Sequence, residues 1–335
     1  MSTTDPTHEI DLAAERLGGR ALLASDEFFA PKENLLRPGR GVFKPDLYTD
    51  HGKWMDGWES RRRRDQGYDW CIVRLAVPAL VHGVLVDTHH FRGNHPAACS
   101  IDGCSLPFDC GLDTLQGPGA WQELLGRVGL QGHHEHLFEI TPPSHCTHLR
   151  LNIYPDGGVA RFRVFGDPRP DWPALLHGGG PVDLVAALHG GRIAGCSDMF
   201  FSAPPNLLMP YPPENMGDGW ETRRRRGPGH DWCVIELGRR GTIETLEIGT
   251  LNFKGNYPAR ASVERADLAA APAGAEPNFV PLLPETPLEA DRIHRFDVDS
   301  NSPCTHLRLN IFPDGGVSRF RAYGRPCGGS DSDDR

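Results

Sequence analysis

Hydrophobic and polar residues alternate along short segments of the chain, a pattern typical of β-strands that bury one face. In residues 148–153 the two leucines and the isoleucine fall on one face, while the histidine, the arginine and the asparagine fall on the other, which we expect to be solvated. Cys71, Val73 and Leu75 form a second apolar row of the same period. The chain also contains 39 glycines and 30 prolines among its 335 residues. Many short strands separated by turns indicate β-sandwiches.

The same unit occurs twice. Residues 146–166 are identical to residues 304–324 at 17 of 21 positions, and each copy contains a Pro-Asp-Gly-Gly sequence that predicts a tight β-hairpin. The correspondence extends back to Asp11, except that repeat 1 carries ten extra residues between Leu36 and Asp56. We therefore predict two tandem domains of one fold.

Turn signals and composition divide the chain further. Residues 11–17 and 183–189 are each followed by glycine and predict short helices that stop there. A stretch rich in proline and glycine predicts a linker. The predicted parts are a flexible N-terminus at 1–10, repeat 1 at 11–166, the linker at 167–182, repeat 2 at 183–324 and a disordered tail at 325–335.

Charge and hydropathy exclude several classes of function. The net charge is −9, so the arginine runs at 61–64 and 223–226 fit local anion sites or carboxylate partners better than nucleic acid. No apolar run approaches the roughly 18 residues of a membrane span. The N-terminus has no secretory pattern, which predicts a cytoplasmic protein.

The nine cysteines have no Cys-x-x-Cys spacing, and we expect them to be reduced and structural. A metal or redox role stays open for Cys99, Cys104 and Cys110, which lie close together. A metal role also stays open for the histidines of residues 133–136, although a solvated loop explains that Gly-rich segment better.

The motif Asp-Gly-Trp-Glu-x-Arg-Arg is the most specific polar feature, and it occurs at 56–62 and 218–224. Arginine forks bind carboxylates with defined geometry, so the motif suits a ligand site. The alternative is a surface network of arginine and glutamate around a core tryptophan. Arg92-Gly93-Asn94 and Lys254-Gly255-Asn256 form a second candidate pair for a polar ligand, with a self-capped turn as the alternative.

Differences between the repeats indicate where chemistry resides. His89 and His90 in repeat 1 are replaced by Leu251 and Asn252 in repeat 2, and Glu27 is replaced by methionine. Histidine is the side chain that titrates near neutral pH and serves most often as a general acid or base. If one site serves both repeats, its catalytic residues belong among those that are not duplicated.

Several long motifs, taken together, resemble the allantoicase family. They include Ser-Asp-Glu-Phe-Phe at 25–29, Gly-Lys-Trp-Met-Asp-Gly-Trp-Glu at 52–59, Val-Asp-Thr-His-His-Phe-Arg-Gly-Asn at 86–94 and Arg-Leu-Asn-Ile-Tyr-Pro-Asp-Gly-Gly at 150–158. The resemblance implies two tandem jelly-roll β-sandwiches of the galactose-binding-domain type. It also implies a homo-oligomeric hydrolase, trimeric or hexameric, that converts allantoate to (S)-ureidoglycolate and urea by cleaving a C–N bond of a linear amidine. A divalent metal such as Mn²⁺ is neither required nor excluded.

If the chain hydrolyses allantoate, the chemistry of that reaction assigns candidate roles to individual residues. Breaking the C–N bond needs a proton for the departing urea and a base for water, and binding allantoate needs cations and amide partners. The catalytic candidates are Glu59, Glu27, His90 and Asp56. The substrate-binding candidates are Arg61, Arg62, Arg92, Asn94, Trp58, Arg223, Arg224, Glu221, Lys254 and Asn256. The competing function is a non-enzymatic tandem β-sandwich that binds a sugar or another polar small molecule.

Overall fold

The protein forms two compact units, Met1–Arg169 and Pro170–Arg335. The structure, a computed structural model, describes residues 9–117, 119–269, 277–298 and 301–327. Residues 1–8 of the predicted flexible N-terminus and residues 328–335 of the predicted tail lie outside the described residues. Within the described residues no helix is long and apolar enough to cross a membrane.

Strands are the main secondary structure of both units. Unit 1 contains β1 (Arg20–Ala24), β2 (Tyr48–Thr49), β3 (Gly52–Lys53), β4 (Trp58–Glu59), β5 (Asp69–Asp87), β6 (Ala98–Cys104), β7 (Gln122–Gly129), β8 (Glu135–Tyr154), β9 (Gly158–Val159) and β10 (Arg161–Pro168), with helix α1 (Leu112–Gln116) and 3₁₀ helices at Glu15–Leu17 and Lys32–Leu36. Unit 2 contains α2 (Trp172–Leu176), β11 (Val182–Asp183), β12 (Arg192–Cys196), β13 (Trp220–Glu221), β14 (Asp231–Gly249), β15 (Arg260–Ala266), β16 (Val280–Pro287), β17 (Ile293–Asp297), β18 (Cys304–Phe312), β19 (Gly316–Val317) and β20 (Arg319–Pro326), with 3₁₀ helices at Ala187–His189, Pro204–Leu208 and Met216–Asp218.

The long strand β5 belongs to both layers of the first sandwich. Its first half pairs with β1 and with the C-terminal half of β8, and its second half pairs with β10 and with the N-terminal half of β8. Strands β6 and β7 extend the first of these layers. In unit 2, β14 pairs in the same way with β12 and β18 in its first half and with β17 and β20 in its second. The predicted tandem jelly-roll fold is therefore confirmed.

A register shift moves the buried row of β5 to the other parity. Apart from Ile72, its fully buried apolar side chains stand at odd positions up to Val81 and at even positions from Val84. The pairing with β10 skips one residue between Val81 and Gly83. An extra residue in one strand produces this change of face. Strand β14 repeats it between Ile243 and Thr245.

The predicted hairpin around Pro-Asp-Gly-Gly is wrong in its pairing. The turn exists, and Gly157 has φ +135°, but the strands on its two sides do not pair with each other. Strand β9 pairs with β4, and β10 pairs with β5. The turn therefore carries the chain from one layer to the other, which the alternation of residues cannot reveal.

The prediction that the polar face of residues 148–153 is solvated is wrong for His148 and Asn152. His148 and Asn152 are 1% and 2% exposed. The buried Asn152 is satisfied by donating to Ser100 Oγ (3.1 Å) and Asp102 Oδ2 (2.8 Å) within the sheet. Burial lowers the pKa of His148 to about 4. The predicted helices at 11–17 and 183–189 shrink to single 3₁₀ turns that end at Gly18 and Gly190.

We expect Gly158→Ala to destabilise unit 1 by more than 2 °C in Tm. A Cβ at this position would lie 2.0 Å from the ring of Phe91, and overpacking a core costs about 1–3 kcal/mol. Gly129→Ala is the matched control, since a Cβ there meets nothing within 4 Å. Thermal unfolding of both variants measures the effect, and equal Tm values would contradict it.

Candidate active site

An open cleft of about 300 Å³ lies on unit 1. Its walls combine one buried carboxylate, one histidine, two cations, an amide and apolar side chains. They are Phe29, Phe43, Lys53, Met55, Glu59, His90, Arg92, Gly93 and Asn94. The cleft thus brings together four residues proposed from the sequence, namely Glu59, His90, Arg92 and Asn94.

Strand alternation directs Glu59 into the cleft. The preceding residue, Trp58, is 0% exposed and donates from its indole Nε1 to Asp26 O (2.8 Å). Successive side chains of a strand face opposite sides, so Glu59 points away from that core. Its backbone is fixed on both sides, by Ala30 and by pairing with Gly158.

Glu59 is a carboxyl group that retains its proton unusually well. It is 8% exposed, and Asn94 Nδ2 donates to its Oε1 at 2.7 Å. Burial raises the pKa of Glu59 above its usual value, and the hydrogen bond from Asn94 opposes this shift only in part. A carboxyl with a raised pKa in a cleft suits general acid catalysis.

His90 lies in a turn after β5 and not on a strand, with φ +70°. Its Nε2 is 3.2 Å from Gly41 O. A carbonyl oxygen only accepts hydrogen bonds, so Nε2 carries the proton of the neutral ring and Nδ1 is unprotonated. Burial and the neighbouring His89 lower the pKa of His90. A neutral imidazole with a free nitrogen suits a general base.

The extra segment of repeat 1 forms one wall of the cleft. Val42 donates from its backbone N–H to Asp56 Oδ2 (2.9 Å), and Glu214 makes the same bond to Asp218 (2.8 Å) in unit 2. Between these anchors unit 1 has residues 43–55, whereas unit 2 has only residues 215–217. The Phe43 ring stacks on His90 at 5.5 Å, and Lys53 Nζ lies 4.7 Å from the Phe43 ring.

Asp56, proposed as catalytic, has a scaffold role. Its Oδ2 accepts from the buried Arg161 at 2.7 Å, and the same arginine donates to the backbone O of Asp56 and to Gly39 O. Arg319 in unit 2 donates likewise to Asp218 O and Tyr211 O. Both repeats use this pair to hold the loop, and Asp56 is not among the residues that line the cleft.

Glu27 and Trp58 also differ from the roles expected for them. Glu27 accepts from the backbone N of Lys32 (2.8 Å) and pairs with its Nζ (3.2 Å), so it fixes the start of a 3₁₀ helix outside the cleft lining. Trp58 is fully buried and has no surface to offer a ligand. Its conserved spacing from Glu59 in both repeats comes from its role in the core.

Arginines of the two quartets mostly pair with scaffold carboxylates. Arg61 Nε donates to Asp26 Oδ2 at 2.7 Å, and Arg63 pairs with Asp69. In unit 2, Arg223 pairs with Asp198, and Arg225 pairs with Asp231. Arg62 and Arg224 are exposed, and neither lines the cleft. The cleft cations are instead Arg92 and Lys53.

Unit 2 repeats the acid–amide pair without the histidine. Asn256 Nδ2 donates to Glu221 Oε1. Asn252 stands in place of His90, and its Nδ2 donates to Pro213 O (3.2 Å), the counterpart of the His90 bond to Gly41 O. Lys254 is exposed at the position of Arg92. Unit 2 therefore keeps the acid–amide pair and has an asparagine where unit 1 has the imidazole of His90.

The histidines of residues 133–136 have partners within the protein. His136 donates from Nδ1 to Val86 O (3.1 Å) and accepts at Nε2 from the Gln131 N–H (2.8 Å). His294 makes the same two bonds in unit 2. In the part of the chain that the structure describes, no group of three or more His, Cys, Asp or Glu side chains is arranged to hold a metal ion.

The residues that sequence reasoning missed are Phe29, Phe43, Met55 and, as a site cation, Lys53. Three of these four lie in residues 43–55, the segment that the comparison of repeats had marked as an insertion. The signal was therefore present, but nothing in the sequence showed that the segment folds back over His90.

We expect Glu59→Gln to raise Tm at pH 7–8 by a few degrees. Because the folded-state pKa of Glu59 lies above the usual 4.5, the unfolded chain ionises first and stability falls as pH rises through that window. Glutamine removes this loss, so the difference in Tm should vanish below about pH 4.5. Thermal unfolding across pH tests this, with the exposed Glu139→Gln as control; a pH-independent difference would contradict it.

Comparisons with known proteins agree with this geometry. The family model described as the allantoicase repeat matches residues 10–169 and 182–327. A probable allantoicase of Pseudomonas aeruginosa (strain LESB58) is 48% identical over 325 residues, covering 95% of this chain and 96% of its own. Probable allantoicase 2 of Burkholderia pseudomallei (strain K96243) is 48% identical over 321 residues, covering 94% of each chain.

A solved structure extends the similarity to the fold. The crystal structure of allantoicase from Saccharomyces cerevisiae has 33% identity and a TM-score of 0.79, covering 95% of this chain and 93% of its own. Sequence and fold agree along nearly the full length, so this chain belongs to the allantoicase family.

Proposed function

We propose that this protein hydrolyses allantoate to ureidoglycolate and urea, with the chemistry in the cleft of unit 1. The observation that carries the proposal is the pairing of Glu59, whose pKa is raised by burial, with a neutral His90 in one cleft. Two titratable groups with such environments can divide the roles of acid and base. The reaction is the one that gives the family its name.

The cleft offers matching partners for allantoate. Its carboxylate suits the two cations, Arg92 and Lys53, which both line the cleft. Its ureido groups suit amide and carboxyl partners, and Asn94 and Glu59 provide both. Phe29, Phe43 and Met55 supply apolar surface to the cleft, which lowers the local dielectric and so strengthens these polar contacts.

The reaction requires one proton to leave water and one to reach urea. In the proposed step, His90 Nδ1 takes a proton from water as the oxygen bonds to the central carbon of allantoate. The C–N bond to one ureido group breaks, and Glu59 gives its proton to the departing nitrogen. The Gly41 carbonyl, which accepts from Nε2 of His90, stabilises the imidazolium that forms. Return of that proton to Glu59 restores both groups.

Three finer statements stay predictions. They are a homo-oligomeric assembly, a cytoplasmic location and a contribution of Arg223, Arg224, Glu221, Lys254 and Asn256 to substrate binding. The last is supported by the repeated bond between Asn256 and Glu221. Any involvement of Mn²⁺ is tested by assaying with the metal and with a chelator.

We expect Glu59→Gln to lower kcat for urea release from allantoate by about 10²–10⁴-fold, as loss of a general acid does. Glu27→Gln is the matched control and should stay within about threefold of the wild type, because Glu27 lies outside the cleft lining. Full activity of Glu59→Gln would remove it from the mechanism. If the wild type releases no urea with or without Mn²⁺, the alternative of a binding module takes the place of the hydrolase.

Arg92→Ala and Lys53→Ala should each raise KM for allantoate by about 10–100-fold, since a hydrogen bond to a charged group is worth about 1.5–3 kcal/mol. Arg61→Ala should leave KM within about twofold, because its guanidinium is engaged by Asp26. Initial-rate kinetics on folded variants show whether the carboxylate of allantoate is bound by the cleft cations or by the arginine quartet. A large KM increase for Arg61→Ala alone would return the carboxylate site to the arginine quartet.

A further inference from the structure

The turn that carries His90 is built in the same way in both repeats. In unit 1 the Thr88 hydroxyl donates to Gln131 O (2.6 Å), and the His133 N–H donates to Thr88 O (3.1 Å) and Phe91 O (3.0 Å). In unit 2 the Thr250 hydroxyl donates to Glu289 O (2.6 Å), and the Asp291 N–H donates to Phe253 O (3.3 Å). Two loops are thereby joined into one rigid element in each repeat.

One bond of this element differs chemically between the repeats. In unit 2 the backbone N–H of Asn252 donates to the carboxylate Oδ1 of Asp291 at 2.8 Å. In unit 1 the backbone N–H of His90 donates to Nδ1 of His133 at 3.0 Å. Residues His90 and His133 both have positive φ, as do Asn252 and Asp291, so the backbones match and only the acceptor has changed.

The change makes the bond sensitive to protonation. A carboxylate accepts hydrogen bonds over the whole neutral range, whereas an imidazole nitrogen accepts only while it is unprotonated. The neutral ring of His133 must therefore carry its proton on Nε2. When Nδ1 also gains a proton, two N–H groups face each other and the bond to His90 is lost.

The surroundings of His133 favour its neutral form. The charged and titratable groups that face it are Arg92, His89 and His90 on the turn after β5 and Asp87 at the end of that strand. Partial desolvation, followed by Arg92 and the two histidines, holds the pKa of His133 below its usual value, and Asp87 opposes this. The His89 ring lies 4.1 Å from the His133 ring.

We propose that His133 is a positioning residue of repeat 1: its unprotonated Nδ1 holds the backbone of the turn that presents His90, so that the site is assembled only while His133 is neutral. The inference rests on the proposed role of His90 and adds a separate residue that limits activity at low pH.

The test compares His133→Asn with the wild type. Asparagine places Oδ1 where histidine has Nδ1, accepts at every pH and tolerates positive φ. The ratio of kcat for His133→Asn to kcat for the wild type should rise from about one at pH 8 to about ten at pH 5. Titration of His90 affects both proteins, so the ratio reports chiefly the change at position 133. His133→Ala, which lacks an acceptor, should be about tenfold slower than the wild type at pH 8.

A measurement without turnover separates this inference from the proposed function. Hydrogen exchange of the His90 amide, corrected for its intrinsic pH dependence, should show protection at pH 8 in the wild type and in His133→Asn, and protection at pH 5 only in His133→Asn. Asp291→Asn in unit 2 is the control and should leave the kcat ratio at one. A kcat ratio that does not change with pH, together with equal exchange in the two proteins at pH 5, would overturn the proposal.

Discussion

The close approach of the Pro-Asp-Gly-Gly turn to the Asn94 loop is the contact on which the site depends. Gly158 N–H donates to Asn94 O at 2.8 Å, and a Cβ on Gly157 would lie 2.6 Å from that same oxygen. The turn also pairs with the short strand that bears Glu59. The two glycines of the turn, Gly157 and Gly158, thus set the distance between Glu59 and the Asn94 amide that donates to it.

Duplication separates scaffold from chemistry in this protein. Three bonds of unit 1 recur in unit 2: the indole bond of Trp58 to Asp26, the bond of Arg161 to the backbone O of Asp56, and the pairing of Arg61 with Asp26. These groups include polar residues that would be interpreted as catalytic if only one repeat were present. What unit 2 lacks is an imidazole at Asn252 and the wall supplied by residues 43–55.

Much of the fold followed from the sequence, because period-two alternation and an internal repeat are strong local signals. The buried row Cys71, Val73 and Leu75 is confirmed. Pairing was harder: the turn at Gly157 was predicted, but which strands it joins depends on contacts between layers. The site was predicted in part. Glu59, His90, Arg92 and Asn94 meet in the cleft, whereas Asp56 and Trp58 lie outside its lining. A sequence does not show which polar groups satisfy one another in the interior.

The insertion at residues 43–55 shows that a cleft wall can be added with little change to the rest of the fold. Both ends of residues 43–55 are fixed by a bond, between Val42 and Asp56, that the three-residue version in unit 2 also makes. Closing the longer loop costs only on the order of 1 kcal/mol more in chain entropy. A duplicated sandwich can therefore gain a substrate cavity by loop lengthening alone, and the same two anchors mark where loops of other lengths could be exchanged to change what the cavity accepts.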